Sequence, residues 1–336
     1  GRSTRSLGLV LSRTSQSPIR VDVATAPDTA TTGLDFDPIA TMLTFPAGAT
    51  QASVDVAAVS DNLKESNESF QIELGSVERD DGTGWTSAPD LNLSAVALTA
   101  HIVDDDPIPT VEFMNASRVL DEDAGLVDLP IHLSHPTTAP VSIAVNSSGD
   151  LAPGSDYLIT GPSPITFAAS SVGGDPSTAV LSLSIIDDAI FESQETGTFS
   201  LVAPVNATTG ATTSLSITVR DNEPTPALAI QGTSGVEGQI GPVALEVTLT
   251  PSSLPASVGF SLTELGTATA ADIGALPGPI DFAPGETTKT VTIAIVDDDS
   301  HEPDETLMVR LVSPTGAVIQ SAAAALNIAD DDPVTI

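Results

Sequence analysis

Apolar and polar residues alternate with a period of two along most of the chain, the pattern of strands that bury one face. Between Pro, Gly and Asp turns it predicts seven strands in the last third, at 227–231, 243–249, 257–262, 279–282, 288–296, 306–312 and 323–328. The middle third offers the same set at 110–114, 127–133, 141–146, 165–167, 179–186, 198–202 and 215–220. No segment carries a sustained 3.6-residue apolar stripe with capping signals, so almost no helix is expected. Seven short strands in about 105 residues suit an all-β Greek-key sandwich.

Polar positions repeat on a longer scale. Ser60 to Glu68 recurs as Asp187 to Glu195 and as Asp297 to Glu305. In each copy an Asp (Asp61, Asp188, Asp298) is followed by Glu at +4 (Glu65, Glu192, Glu302) and at +7 (Glu68, Glu195, Glu305). An acidic run then closes each copy: Asp104 to Asp106, Asp221-Asn-Glu223 and Asp330 to Asp332, each before a Pro. A further Asp precedes the first element by 25 to 31 residues (Asp35, Asp156, Asp272), and a Glu opens only two copies (Glu122, Glu237). Such a recurrence is the signature of tandem units, read here as 1–107, 108–224 and 225–333, with 334–336 as the start of another. The first unit begins at what is the second strand of the others, so its opening strand and Glu are absent and the chain reads as a piece of a longer array.

Composition sharpens this picture. With 45 Asp plus Glu against 10 Lys plus Arg, the formal net charge is −35, which makes nucleic acid and anionic membranes poor partners, so no nucleic-acid partner is expected, and favours cations. Charged residues are only 16% and hydrophobic ones 40%, enough to bury cores rather than remain disordered. Aromatics are 3% and Cys is absent, so the cores are small and aliphatic, and disulfides and thiolate metal sites are excluded. No run of eighteen apolar residues is present, so direct membrane insertion is not expected.

Asp and Pro at a strand end are ordinary turn formers. A turn, however, needs one Asp and gives no reason for acids at +4 and +7. In the third unit the strand ends bring together Glu237, Asp272, Asp297, Asp298, Asp299, Glu302, Asp304, Glu305 and Asp330 to Asp332. Like charges packed so closely need a counter-cation or raised pKa values. Ca²⁺ fits best, because it accepts six to eight oxygens in irregular mono- and bidentate geometry, whereas Mg²⁺ requires tight octahedra. Zinc and copper prefer imidazole or thiolate, and His101, His132, His135 and His301 do not recur between units.

These residues carry a resemblance. Glu122 to Gly125, Asp156-Tyr157, Asp281-Phe-Ala-Pro-Gly-Glu286, Ile186 to Thr196 and Asp330 to Pro333 together resemble the Calx-beta domain, a module similar to the calcium-sensing domains of sodium/calcium exchangers. The resemblance implies tandem immunoglobulin-like sandwiches and a calcium ligand set for each unit. In the third unit the set is Glu237, Asp272, Asp297, Asp298, Glu302, Asp330, Asp331 and Asp332. In the second it is Glu122, Asp156, Asp187, Asp188, Glu192, Asp221 and Glu223, and in the first Asp35, Asp61, Glu65, Asp104, Asp105 and Asp106. Glu68, Glu195 and Glu305 are assigned to steadying the turn.

No Gly-x-Ser-x-Gly elbow, His-Glu-x-x-His or phosphate-cradling loop supports catalysis, so no enzymatic activity is expected. His132 and His135 read as solvated strand-end residues rather than a metal pair. Trp85 reads as the cap of a local core, with a sugar-stacking platform as the alternative. The functional expectation is a calcium-binding array from an extracellular or cell-surface protein, in which Ca²⁺ stiffens the units and their junctions with neighbouring repeats. A calcium sensor and a protein- or glycan-binding adhesin are the alternatives.

Overall fold

The computed structural model describes residues 1–174, 177–239, 241–263 and 266–334. Of the expected start of a further repeat, Thr335 and Ile336 lie outside the described residues. Strands dominate, and among the described residues helix is confined to one 3-10 turn, Glu122–Ala124. The strands fall into three successive groups, and among the described residues no sheet combines strands of different groups.

The first group comprises β1 (Arg2–Val10), β2 (Ile19–Pro27), β3 (Ala40–Phe45), β4 (Gln51–Val59), β5 (Glu68–Asp80), β6 (Trp85–Ser87) and β7 (Ala97–Ile102). β1 pairs antiparallel with β4 as a two-stranded sheet, opposite a sheet ordered β3-β2-β5-β6 in which β7 also pairs with β5. Val23, Phe36, Val56, Phe70 and Ile72 form one small core, with Phe36 stacked on Phe70 at 4.2 Å. Ile19, Val21 and Phe45 form a second.

The second group holds β8 (Thr110–Phe113), β9 (Ser117–Asp121), β10 (Leu126–Leu133), β11 (Val141–Gly149), β12 (Tyr157–Ile159), β13 (Ile165–Phe167), β14 (Ser177–Ile185), β15 (Glu195–Val205), β16 (Thr208–Thr209) and β17 (Ser214–Arg220). Two five-stranded sheets, β12-β14-β10-β8-β16 and β13-β11-β15-β17-β9, face each other across a single core. Alternate residues point inward, so Leu129, Ile131 and Leu133 of β10 meet Leu215, Ile217 and Val219 of β17 in that core. Each such side chain contributes roughly 1.5–3 kcal/mol through burial.

The third group repeats the plan with β18 (Ala227–Ile230), β19 (Thr233–Val236), β20 (Val243–Leu249), β21 (Ala256–Thr263), β22 (Ile280–Phe282), β23 (Thr288–Ile293), β24 (Glu305–Thr315), β25 (Val318–Ser321) and β26 (Ala323–Ala329). Its sheets are β23-β20-β18-β25 and β19-β26-β24-β21-β22.

The opening strand is divided between the two sheets, which the alternation alone does not reveal. β8 pairs antiparallel with β10, the chain then crosses, and β9 runs parallel to β17. β18 and β19 do the same against β20 and β26. The second halves were not expected because little in them is apolar: of Ser117–Asp121 only Leu120 is buried. In β19 Gly235 is required by close approach, since a Cβ there would lie 2.4 Å from Val243 and Ile295. The strand expected at 288–296 ends at Ile293, and Ile295 forms an isolated bridge to Ile273.

A main-chain contact of one design joins each group to the next. The Lys64 N–H donates to the Pro136 carbonyl at 3.1 Å, and the Lys64 carbonyl accepts the Thr138 N–H at 3.0 Å. Phe191 is held likewise by Pro251 at 3.2 Å and Ser253 at 2.9 Å. Lys64 and Phe191 both stand three residues after the recurring Asp, between it and the Glu at +4. Because the bonds are to main chain, the same junction accommodates Lys in one place and Phe in the other.

Candidate metal centre

Each recurring Asp first serves its own turn. Asp61, Asp188 and Asp298 accept the N–H two residues on, from Leu63, Ile190 and Ser300, at 2.9, 2.7 and 2.7 Å. Asp35, Asp156 and Asp272 accept from Thr31, Ala152 and Thr269 at 2.6, 2.5 and 2.5 Å. Asp104, Asp221 and Asp330, just beyond the last strand of each unit, accept the N–H of Glu65, Glu192 and Glu302 at 3.2, 2.9 and 3.1 Å. Turn chemistry is therefore a true part of the repeated signal. A carboxylate offers about four lone-pair sites, so one such bond leaves most of its capacity free.

That capacity converges. Asp35, Glu65 and Glu68 each place a carboxylate oxygen within 4.8 Å of the others, as do Asp156, Glu192 and Glu195, and Asp272, Glu302 and Glu305. A second triad in the later units unites the opening Glu with the closing run: Glu122, Asp221 and Glu223, then Glu237, Asp330 and Asp332. Glu122 and Glu237 are only 8% and 6% exposed. β9 and β19 deliver them, while β17 and β26 deliver their partners from the adjacent strand.

The electrostatics are those of a site short of positive charge. Burial, reinforced by neighbouring carboxylates, pushes Glu65, Glu68, Glu122 and Glu195 up to about 7. The same two causes raise Glu192, Glu223, Glu237, Glu305 and Asp332. Oxygens of Glu68, Glu223, Glu237, Glu305 and Asp332 are buried with no hydrogen-bond partner. Buried polar atoms without partners are rare in folded proteins and call for an ion or a proton. A hard divalent cation with oxygen ligands fits this all-carboxylate donor set.

The other expected ligands lie around the triads. Asp188 presses on Glu122 and Glu192, Asp298 on Glu237, and Asp297 with Asp331 on Asp332. Asp187 accepts the Asn222 amide at 3.3 Å. Asp61 and Asp104 raise Glu65, while Asp105 helps raise Asp106. Glu68, Glu195 and Glu305, assigned from sequence to the turn, stand inside the triads; their threefold recurrence at +7 was the available signal. His301, which does not recur between units, places its Nδ1 2.6 Å from Asp330. Burial pushes Asp330 up, and the Glu302 amide with His301 outweighs it, so that carboxyl ends below its usual range. In the first unit Asp104 is instead ion-paired with Lys64.

A family model for the Calx-beta domain matches residues 4–100, 104–223 and 227–332. The chain belongs to the Calx-beta domain family. It consists of Calx-beta domains in tandem, and the two-sheet units above are their all-β sandwiches. Solved structures similar to it include one described as CBD12 from CALX1.2, 14% identical over 65% of this chain and 99% of that chain, with a TM-score of 0.30. Another is described as the calcium binding domain CBD12 of CALX1.1, 13% identical over 64% and 98%, at 0.31. The apo-form Calx CBD1 domain is 24% identical over 32% of this chain and 100% of its own, at 0.30. Scores this low carry no argument, and membership rests on the three matched segments. Among the described residues no helix is long and apolar enough to cross a membrane.

Proposed function

We propose that this chain is a calcium-binding Calx-beta array, divided near residues 107 and 224, from an extracellular or cell-surface protein, in which Ca²⁺ stiffens the domains and their junctions. The observation that carries the reading is the recurrence of carboxylate triads with buried, unpartnered oxygens at one end of each sandwich. Asp156, Glu192 and Glu195 would hold an ion beside Glu122, Asp221 and Glu223, and Asp272, Glu302 and Glu305 beside Glu237, Asp330 and Asp332. The first domain would hold one at Asp35, Glu65 and Glu68. The ion supplies positive charge that cancels repulsion between strand ends. The chain supplies the placement: turn amides orient the Asp side chains, and β9 and β19 lock the opening Glu. The array is read as structural or adhesive rather than catalytic, with neighbouring repeats as its first partners.

Main-chain contacts of Lys64 and Phe191 favour a second reading, a calcium sensor, because the acidic loop itself grips the next domain. Affinity separates the two, near 10⁻⁴–10⁻³ M for an extracellular module and about 10⁻⁷–10⁻⁵ M for a sensor. The glycan-binding alternative lacks comparable support, since the Arg20 guanidinium covers a face of Trp85 at 4.4 Å. Thermal melts of the chain in EGTA and in calcium test the proposal. A site saturated to 100 times its Kd adds about 2.7 kcal/mol, which raises the midpoint by on the order of 10 °C for a domain of this size. Identical melts in the two buffers would refute calcium binding.

A further inference from the structure

The residue three after the recurring Asp differs in every domain: Lys64, Phe191 and His301. Its main-chain setting does not. Lys64 and Phe191 each bridge to the next domain, opposite Thr137 and Ser252. On the other flank the N–H of the following residue, Glu65, Glu192 or Glu302, donates to Oδ1 of the closing Asp104, Asp221 or Asp330. In the first two domains the backbone is thus held on both flanks, with this residue beside the closing Asp. The chemistry of its side chain then decides what the second carboxylate oxygen meets.

Two of the three side chains carry a basic nitrogen, and both reach that oxygen. The Lys64 ammonium is ion-paired with Oδ2 of Asp104, whose side chain is only 7% exposed. His301 Nδ1 lies 2.6 Å from Oδ2 of Asp330, whose side chain is 8% exposed. The third domain has both halves of its opening strand, β18 and β19, so the reach from this position to the closing Asp belongs to the acidic loop itself. Phe191 brings no charge, and among the described residues the closing run of the second domain makes no ion pair. A carboxylate buried as deeply as Asp104 needs a partner of opposite charge. Asp221 and Asp330 also belong to the triads of Glu122 and Glu237. The group that a basic side chain neutralises here is therefore the one a metal ion would use, and two cations on one carboxylate repel each other.

We infer that this position sets how many metal ions a domain takes up, and that Lys64 is the resident cation of the closing run in the first domain. Its aliphatic stem packs along the loop while the ammonium reaches inward, as a long basic side chain can. That ammonium supplies permanently the charge that a metal ion supplies at Glu122, Asp221 and Glu223 in the second domain. The first domain then draws metal to Asp35, Glu65 and Glu68 and not to Asp104. The ion count rests on the calcium reading, whereas the effect of the lysine on the metal-free chain does not.

The test moves the lysine. Phe191→Lys in the full chain is compared with Phe191→Met, a neutral side chain of similar reach on the same main-chain bonds. In EGTA, scanning calorimetry should place a melting transition of Phe191→Lys several degrees above its position in Phe191→Met, because the ammonium relieves repulsion among Glu122, Asp221 and Glu223. Titration calorimetry with calcium should count one ion fewer per chain for Phe191→Lys than for Phe191→Met. In the opposite direction, Lys64→Met should lower a transition in EGTA and Lys64→Arg should restore it. Equal melts of the two Phe191 variants in EGTA would overturn the inference, as would an equal and non-zero calcium count. A wild-type chain that binds no calcium would instead refute the calcium reading, and the melts in EGTA then decide the role of Lys64 by themselves.

Discussion

The carbonyl of Phe191, in the acidic loop of the second domain, accepts the Ser253 N–H of the third at 2.9 Å, and Lys64 accepts the Thr138 N–H in the same way one domain earlier. The residues that grip the neighbour therefore sit between an Asp and a Glu of the candidate cation site. Ordering that loop orders the junction. In hydrogen exchange the amides of Thr138 and Ser253 should gain protection in calcium together with those of Glu65 and Glu192. Protection confined to the loops, with the two junction amides unchanged, would uncouple the site from the junction.

The acids at +7 distinguish a ligand from a turn residue. Glu305 belongs to a triad with Asp272 and Glu302, whereas Asp304 beside it does not. Calorimetry should show Glu305→Gln weakening calcium binding at least tenfold, the scale expected when one charged ligand is lost. Asp304→Asn should leave it within about twofold.

Acid should stabilise the metal-free chain. Glu65, Glu68, Glu122 and Glu195 titrate near 7 when folded and near 4.5 when unfolded, so the folded state holds more protons across that interval. Stability then falls as pH rises from about 4.5 through about 7. Urea melts in EGTA should show a higher midpoint at pH 5 than at pH 8. Calcium should reverse the trend above pH 7, because it competes with the same protons.

Equivalent leucines should respond unequally to truncation. Leu215→Ala removes a side chain that is 2% exposed in a closed core and should cost about 2–5 kcal/mol. Leu98→Ala, at 52% exposure, should cost under about 0.5 kcal/mol. Chemical denaturation of the two variants compares them directly, and an equal loss would mean that Leu98 is as buried in solution as Leu215.

Much of the candidate site was legible because its acids recur at constant offsets. Asp61, Glu65 and their counterparts announce themselves by spacing, and the turn bonds they make are local. The pairing of Glu122 with Asp221 and Glu223 was legible only in order along the chain. Its geometry depends on β9 lying parallel to β17, a contact between segments about a hundred residues apart.

By itself the sequence determined the period-two strands, the threefold repeat and the absence of thiolate chemistry, since each is a property of neighbouring residues or of counts. Only the tertiary structure decided that the opening strand divides between two sheets, that the +7 glutamates enter the triads, and that Lys64 and Phe191 bond to the next domain. These are long-range matters: which edge is covered and which carboxylates share a cavity follow from the crossing of strands between sheets, and a polar segment such as Ser117–Asp121 carries almost no apolar signal of where it will pair.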